Sequence, residues 1–92
     1  MTIASAGYVI TRHGYIWGSG TTADEAWACF RDVMDQAGVA IVDDDGPGAH
    51  LSDYDCVMAS LAMLTAVDRQ GGVLPWTIVN DVACTIIGGR AI

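Results

Sequence analysis

The chain has 92 residues, 52% of them hydrophobic and 16% charged, with 11 acidic residues against 4 arginines, no lysine and a net charge of −7. That length accommodates one hydrophobic core and excludes a second independent one, and the apolar excess implies surface left exposed or covered by another chain. The charge excludes a phosphate-neutralising face, so neither direct nucleic-acid binding nor attraction to an anionic membrane is expected, and a basic protein surface is the electrostatic complement.

Met1 to Gly7 lacks the basic-then-apolar pattern of a secretory signal, and no apolar run approaches the roughly 18 residues of a membrane-spanning helix. The expected location is the cytoplasm. Tyr8 to Arg12 and Tyr15 to Ser19, rich in aromatic and β-branched residues, flank His13-Gly14, and this predicts a β-hairpin. A two-residue loop sets Arg12 opposite Tyr15 and Ile10 opposite Trp17. One face then carries Tyr8, Ile10, Arg12, Tyr15 and Trp17, and the other Val9, Thr11 and Ile16.

Thr22-Ala23-Asp24-Glu25 is a capping box: Thr22 accepts from the Glu25 amide, the Glu25 side chain reaches back, and two carboxylates favour the positive end of the helix dipole. The predicted helix runs from Ala23 to Ala37, with Ala26, Phe30, Val33 and Ala37 on one stripe, Trp27 and Met34 beside it, and Gly38 as the stop. Val39 to Val42 is a short β-prone run, a candidate third strand. Asp43-Asp44-Asp45-Gly46-Pro47-Gly48 is a loop by composition, and Asp53 to Val57 is compatible with a helix start or an extended piece.

Ser60 to Gln70 predicts a second helix, apolar around most of its circumference and ended by Gly71-Gly72. Trp76 to Val79 and Val82 to Ile87, joined by Asn80-Asp81, predict a second hairpin. The fold class is therefore α+β: a single domain of two hairpins and two helices, order ββα(β)αββ, with a small antiparallel sheet packed with helices.

Cys29, Cys56 and Cys84 are odd in number, widely spaced and set in apolar segments, which reads as buried thiols rather than a disulfide framework. With His13 and His50 they offer no tight zinc-ligand spacing. Asp43, Asp45 and Gly46 echo part of a calcium loop, but the glycine is fourth instead of sixth and Tyr54 stands where the twelfth-position glutamate belongs. Gly18 and Gly20 lack the rest of a phosphate-cradling pattern. Neither a cofactor, a metal nor catalysis is expected.

Two binding surfaces are candidates. Asp43, Asp44, Asp45, Asp53 and Asp55 crowd a short segment with no basic residue among them, and an arginine- or lysine-rich partner would relieve their repulsion. The alternative is a solvated loop that keeps an apolar chain in solution. Arg12, Tyr15 and Trp17 have the composition of an interaction hot spot, provided the first helix leaves their face free; otherwise that face is core. Trp76 has the same ambiguity.

The segment Gly7 to Met34, through Ile16-Trp17-Gly18-Ser19-Gly20-Thr21-Thr22-Ala23-Asp24-Glu25-Ala26-Trp27, resembles the strand, strand and helix start of HicB-type antitoxins. That resemblance covers less than a third of the chain and implies toxin neutralisation through the hairpin and first helix; the family's charged and DNA-binding appendages have no counterpart here. The whole chain is similar in type to small acidic α+β phage and mobile-element proteins, many of them anti-CRISPR inhibitors. This implies tight binding to a basic host nucleoprotein complex, and it carries over no individual residue.

The leading expectation is thus an inhibitor that blocks a basic surface of a host nucleic-acid-handling complex. The alternatives are an antitoxin-like module, a small metal-dependent enzyme, or a structural protein that self-associates as a homodimer through a sheet edge of the terminal hairpin.

Overall fold

The computed structural model describes residues 3–42 and 45–92. Three tight turns organise the strands. His13 and Gly14 take φ of 53° and 80° between β1 (Gly7–Arg12) and β2 (Tyr15–Gly20). Asn80 and Asp81 take 50° and 66° between β6 (Trp76–Val79) and β7 (Val82–Ile87). Two consecutive positive φ values are what a two-residue hairpin loop demands if its twist is to match the strands. Gly88 and Gly89, at 58° and 79°, repeat the device into β8 (Arg90–Ala91). This third hairpin goes beyond the sequence expectation.

The first hairpin pairs Arg12 with Tyr15 as expected, but Ile10 faces Gly18 instead of Trp17. The register shifts between Ile10 and Thr11, so Trp17 is the extra residue of a β-bulge. Gly18 thereby comes beneath the first helix, α1 (Ala23–Gln36). A Cβ there would lie 2.6 Å from the Ala26 carbonyl oxygen and 2.8 Å from the Phe30 amide nitrogen, and one on Gly20 would lie 2.7 Å from the Ala26 nitrogen. The two glycines let α1 settle against the strand backbone.

That close approach corrects the expected helix stripe. Ala26, Phe30 and Met34 are buried, whereas Val33 and Ala37 are exposed, because the contact line follows the i, i+4, i+8 row over the glycines. Thr22 caps the helix by accepting the Glu25 amide at 3.1 Å. The Glu25 carboxylate reaches back one residue further than expected, accepting the Thr21 amide at 2.9 Å and the Thr21 hydroxyl at 2.5 Å.

Of the ambiguous segment Asp53 to Val57, Asp53 closes a short 3-10 turn and the rest is extended, opening the strand β5 (Asp55–Ala59) at the centre of the main sheet. The order is β2-β1-β5-β7-β6, with β8 also on β7. Met58 and Ala59 run parallel to Val82 and Ala83, so the sheet is mixed and not purely antiparallel as expected. A parallel return needs a crossover. The second helix, α2 (Leu61–Gln70), supplies it, capped by Ser60 and ended at Gly71 with φ 78°. The candidate third strand shortens to β3 (Ile41–Val42), which pairs with β4 (Ala49–His50) in a separate two-stranded sheet.

Successive residues of β1 point to opposite faces, and both faces are covered. Ile10 packs with Ala26, Phe30, Met34, Ala49 and Tyr54 on the α1 side. Val9 packs with Ile16, Ala59, Met63, Ala66, Leu74 and Ala83 on the α2 side. Phe30, Ile10, Met63 and Val9 are fully buried, each contributing about 1.5–3 kcal/mol of apolar burial. Helix α2, apolar around most of its circumference, buries one side of itself: Met63 and Ala66 are buried while Leu61 is 68% exposed.

Candidate functional site

The two surfaces singled out in the sequence meet in space. Tyr54, between a short 3-10 turn (Leu51–Asp53) and β5, lies under the Arg12 guanidinium, whose carbon is 5.3 Å from the ring centre. Arg12 also comes within 3.8 Å of the Asp53 carboxylate. Both side chains are partly exposed, so this pair contributes less than about 1 kcal/mol. It nevertheless places a cation from the first hairpin beside an acidic segment that holds no basic residue of its own.

From Tyr54 the aromatic contacts continue in both directions. Trp17 meets it edge-on at 6.3 Å and 90°, Tyr15 meets Trp17 at 6.5 Å, and Phe30 tilts against Tyr54 at 4.6 Å. Helix α1 therefore lies on the aromatic face of the hairpin. Trp17 is half-buried there, and its Nε1–H is shielded from solvent with no acceptor among the described residues. Tyr15, one residue from the turn, stays 48% exposed. Trp76 Nε1–H donates to the Gly14 carbonyl oxygen at 2.8 Å, tying the second hairpin to the tip of the first.

Of the five acidic candidates, Asp43 and Asp44 lie outside the described residues. Asp45 is exposed in the turn that precedes β4. Asp53 is drawn to Arg12 on the α1 side. Asp55 is exposed opposite Thr11 in the register and shares the parity of Val9, so it belongs to the α2 side. Strand alternation thus divides the segment between two faces around Tyr54.

A groove of about 580 Å³ opens beside β2, a feature the sequence reading missed. Tyr15 to Ser19 form one side; Cys29 and Val33 of α1 flank it on one face of the sheet, and Val67, Asp68 and Gly71 to Val73 on the other. The Ile16 amide donates to the Gly72 carbonyl oxygen at 2.9 Å, which anchors the segment after α2 to this outer strand. Residues of three separated segments build the groove, so only the doubled glycine after α2 hinted at it.

The thiols divide as well: Cys84 is buried, but Cys29 and Cys56 are half-buried, correcting the expectation of three core cysteines. Partial burial pushes the Cys56 thiol above its ordinary pKa. Among the described residues no three histidine, cysteine or acidic side chains converge as a metal-holding group. No helix among them is long and apolar enough to cross a membrane. No protein-family model matches the chain, and neither the curated proteins nor the solved structures compared with it give a match.

Proposed function

We propose that this chain is a protein-binding inhibitor, of the kind that phages and mobile elements direct against CRISPR effectors and other host nucleic-acid-handling complexes, and that it occupies a basic surface of its target. The observation that carries this reading is the junction at Tyr54: the exposed carboxylates of Asp53 and Asp55 flank a ring that continues into Trp17 and the exposed Tyr15. Carboxylates of this kind accelerate encounter with a cationic surface, while an aromatic anchor supplies affinity once docked.

The test is capture of partners from a host lysate at low and high salt, with inhibition of the captured complex as the readout. Capture should be salt-labile, because exposed charge pairs are screened as ionic strength rises. Charge reversal at Asp43, Asp44 and Asp45 together, and separately at Asp53 and Asp55, should abolish inhibition while the far-ultraviolet circular dichroism stays unchanged. Undiminished inhibition by both variants would sink the reading.

A second reading, an antitoxin-like module, is favoured by the exposure of Tyr15 beside the groove. It predicts capture of one small toxin, and a greater loss with Tyr15→Ala than with either acidic variant.

A further inference from the structure

We infer that the β2 edge is a strand-addition site, and that its occupant is an extended, arginine- or lysine-bearing segment of the partner protein, with apolar side chains entering the groove between Val33 and Val73. The inference deepens the reading of the chain as a binder of basic protein surfaces and rests on it.

Backbone parity supplies the first argument. Ile16 and Thr11 are opposite one another in the ladder, and the Ile16 amide points outward to Gly72. Its carbonyl oxygen lies against the same residue, since a Cβ on Gly72 would come 2.0 Å from it. In an antiparallel pair that turns its polar groups away from one another, both residues do so together. Thr11 and Val9 share parity on the regular strand and both pair onward with β5, to Asp55 and Val57. Ser19, the partner of Val9, is therefore turned outward like Ile16. Gly72 already covers Ile16, whereas Ser19 lines the groove and, among the described residues, pairs with no strand on its outer side. A chain segment entering there continues the line that Gly72 begins.

Side chains make the second argument. Val33, 36% exposed, and Val73, 73% exposed, stand on opposite walls with Val67 and Trp17, an apolar trough of the kind that gives strand-adding peptides their specificity.

Charge decides the occupant. Among the described residues, Asp68 is the one charged residue of the groove lining. On α1, Glu25 lies four positions before Cys29 on the same helix face, while Asp32 lines another cleft together with Arg31. All four arginines are directed elsewhere. Arg12 is held by Tyr54 and Asp53, Arg31 and Arg69 line other clefts, and Arg90 is in β8. A cationic segment therefore meets no like charge along this trough, whereas a second copy of a chain with net charge −7 would.

The experiment uses the full chain and two capped heptapeptides, one alternating arginine with valine and the other glutamate with valine, titrated while backbone amide shifts are followed by NMR. The arginine peptide should shift Trp17, Ser19, Val33 and Val73 and slow exchange of the Ser19 amide, and the glutamate peptide should not. Val73→Arg and Asp68→Arg, both at exposed positions, should each weaken binding at least tenfold without changing the fold. Shifts confined to Asp45, Asp53 and Asp55, equal binding of both peptides, or no shift at millimolar peptide would overturn the inference while leaving the inhibitor reading standing. Groove shifts with the expected variant effects uphold it, even if charge reversal in the lysate experiment leaves inhibition intact and the inhibitor reading falls.

Discussion

The Ser60 hydroxyl donates to the carbonyl oxygen of Ile92 at 2.8 Å and accepts from the Met63 amide at 3.1 Å. One side chain thus caps α2 and holds the residue after β8 against the start of that helix. Ser60 and Met63 are buried, so the Met63 amide finds no water as a ready substitute, whereas the Ile92 oxygen also accepts from the Thr85 amide.

Ser60→Ala should therefore lower unfolding free energy by roughly 1–2 kcal/mol, the range for a lost N-cap. Urea denaturation measures it. A change within about 0.3 kcal/mol of zero, smaller than any lost cap, would show that the Ile92 contact and the cap contribute nothing net.

Gly18→Ala should cost about 1–3 kcal/mol, because the added methyl meets the backbone of α1 at Ala26 and Phe30, which cannot step aside as a side chain can. Gly14→Ala has open space around it and pays only for a positive φ, about 1 kcal/mol. Comparing the two midpoints separates helix displacement from turn strain, and equal losses would count against close packing of α1 on β2.

Glu25 gives a pH signature. Hydrogen bonds from the Thr21 hydroxyl and then the Thr21 amide hold its carboxyl below the ordinary pKa. A depressed folded pKa means that its stabilisation is fully present above the unfolded pKa and fades as pH falls through the folded one. Glu25→Gln should accordingly be less stable than the parent at neutral pH, with the two curves converging in acid. Parallel curves from pH 7 to pH 2 would dispose of the capping interaction.

Thiol labelling offers a check on burial. Cys84 should react with an uncharged alkylating agent only at the rate of unfolding, whereas Cys29 and Cys56, both partly exposed, should react in the folded protein. Mass spectrometry after brief labelling reads the order directly, and early modification of Cys84 would contradict its place in the sheet.

Local chemistry was legible from the residues alone. His13-Gly14 and Asn80-Asp81 announce two-residue turns because few residues accept consecutive positive φ; Thr22 starts a helix because a short side chain can satisfy a nearby amide; Gly71 stops another. The order ββα(β)αββ and the α+β class follow from these short-range signals. Gly88-Gly89 carried an equally readable signal between Ile87 and Arg90.

Only the tertiary structure decided what depends on long-range pairing. Asp55–Ala59 is apolar enough for either state, and it became the central strand because β1 and β7 offer hydrogen-bonding partners on both sides. The bulge at Trp17 arises where the strand must fit α1, a constraint no window of residues contains. Arg12 finds Asp53, and Ile16 finds Gly72, through backbone paths that first cross the sheet. Charge composition by itself determined that the chain is acidic with few cations; the fold decided where those few cations go, drawing Arg12 onto Tyr54 and Asp53 because strand pairing brings them together.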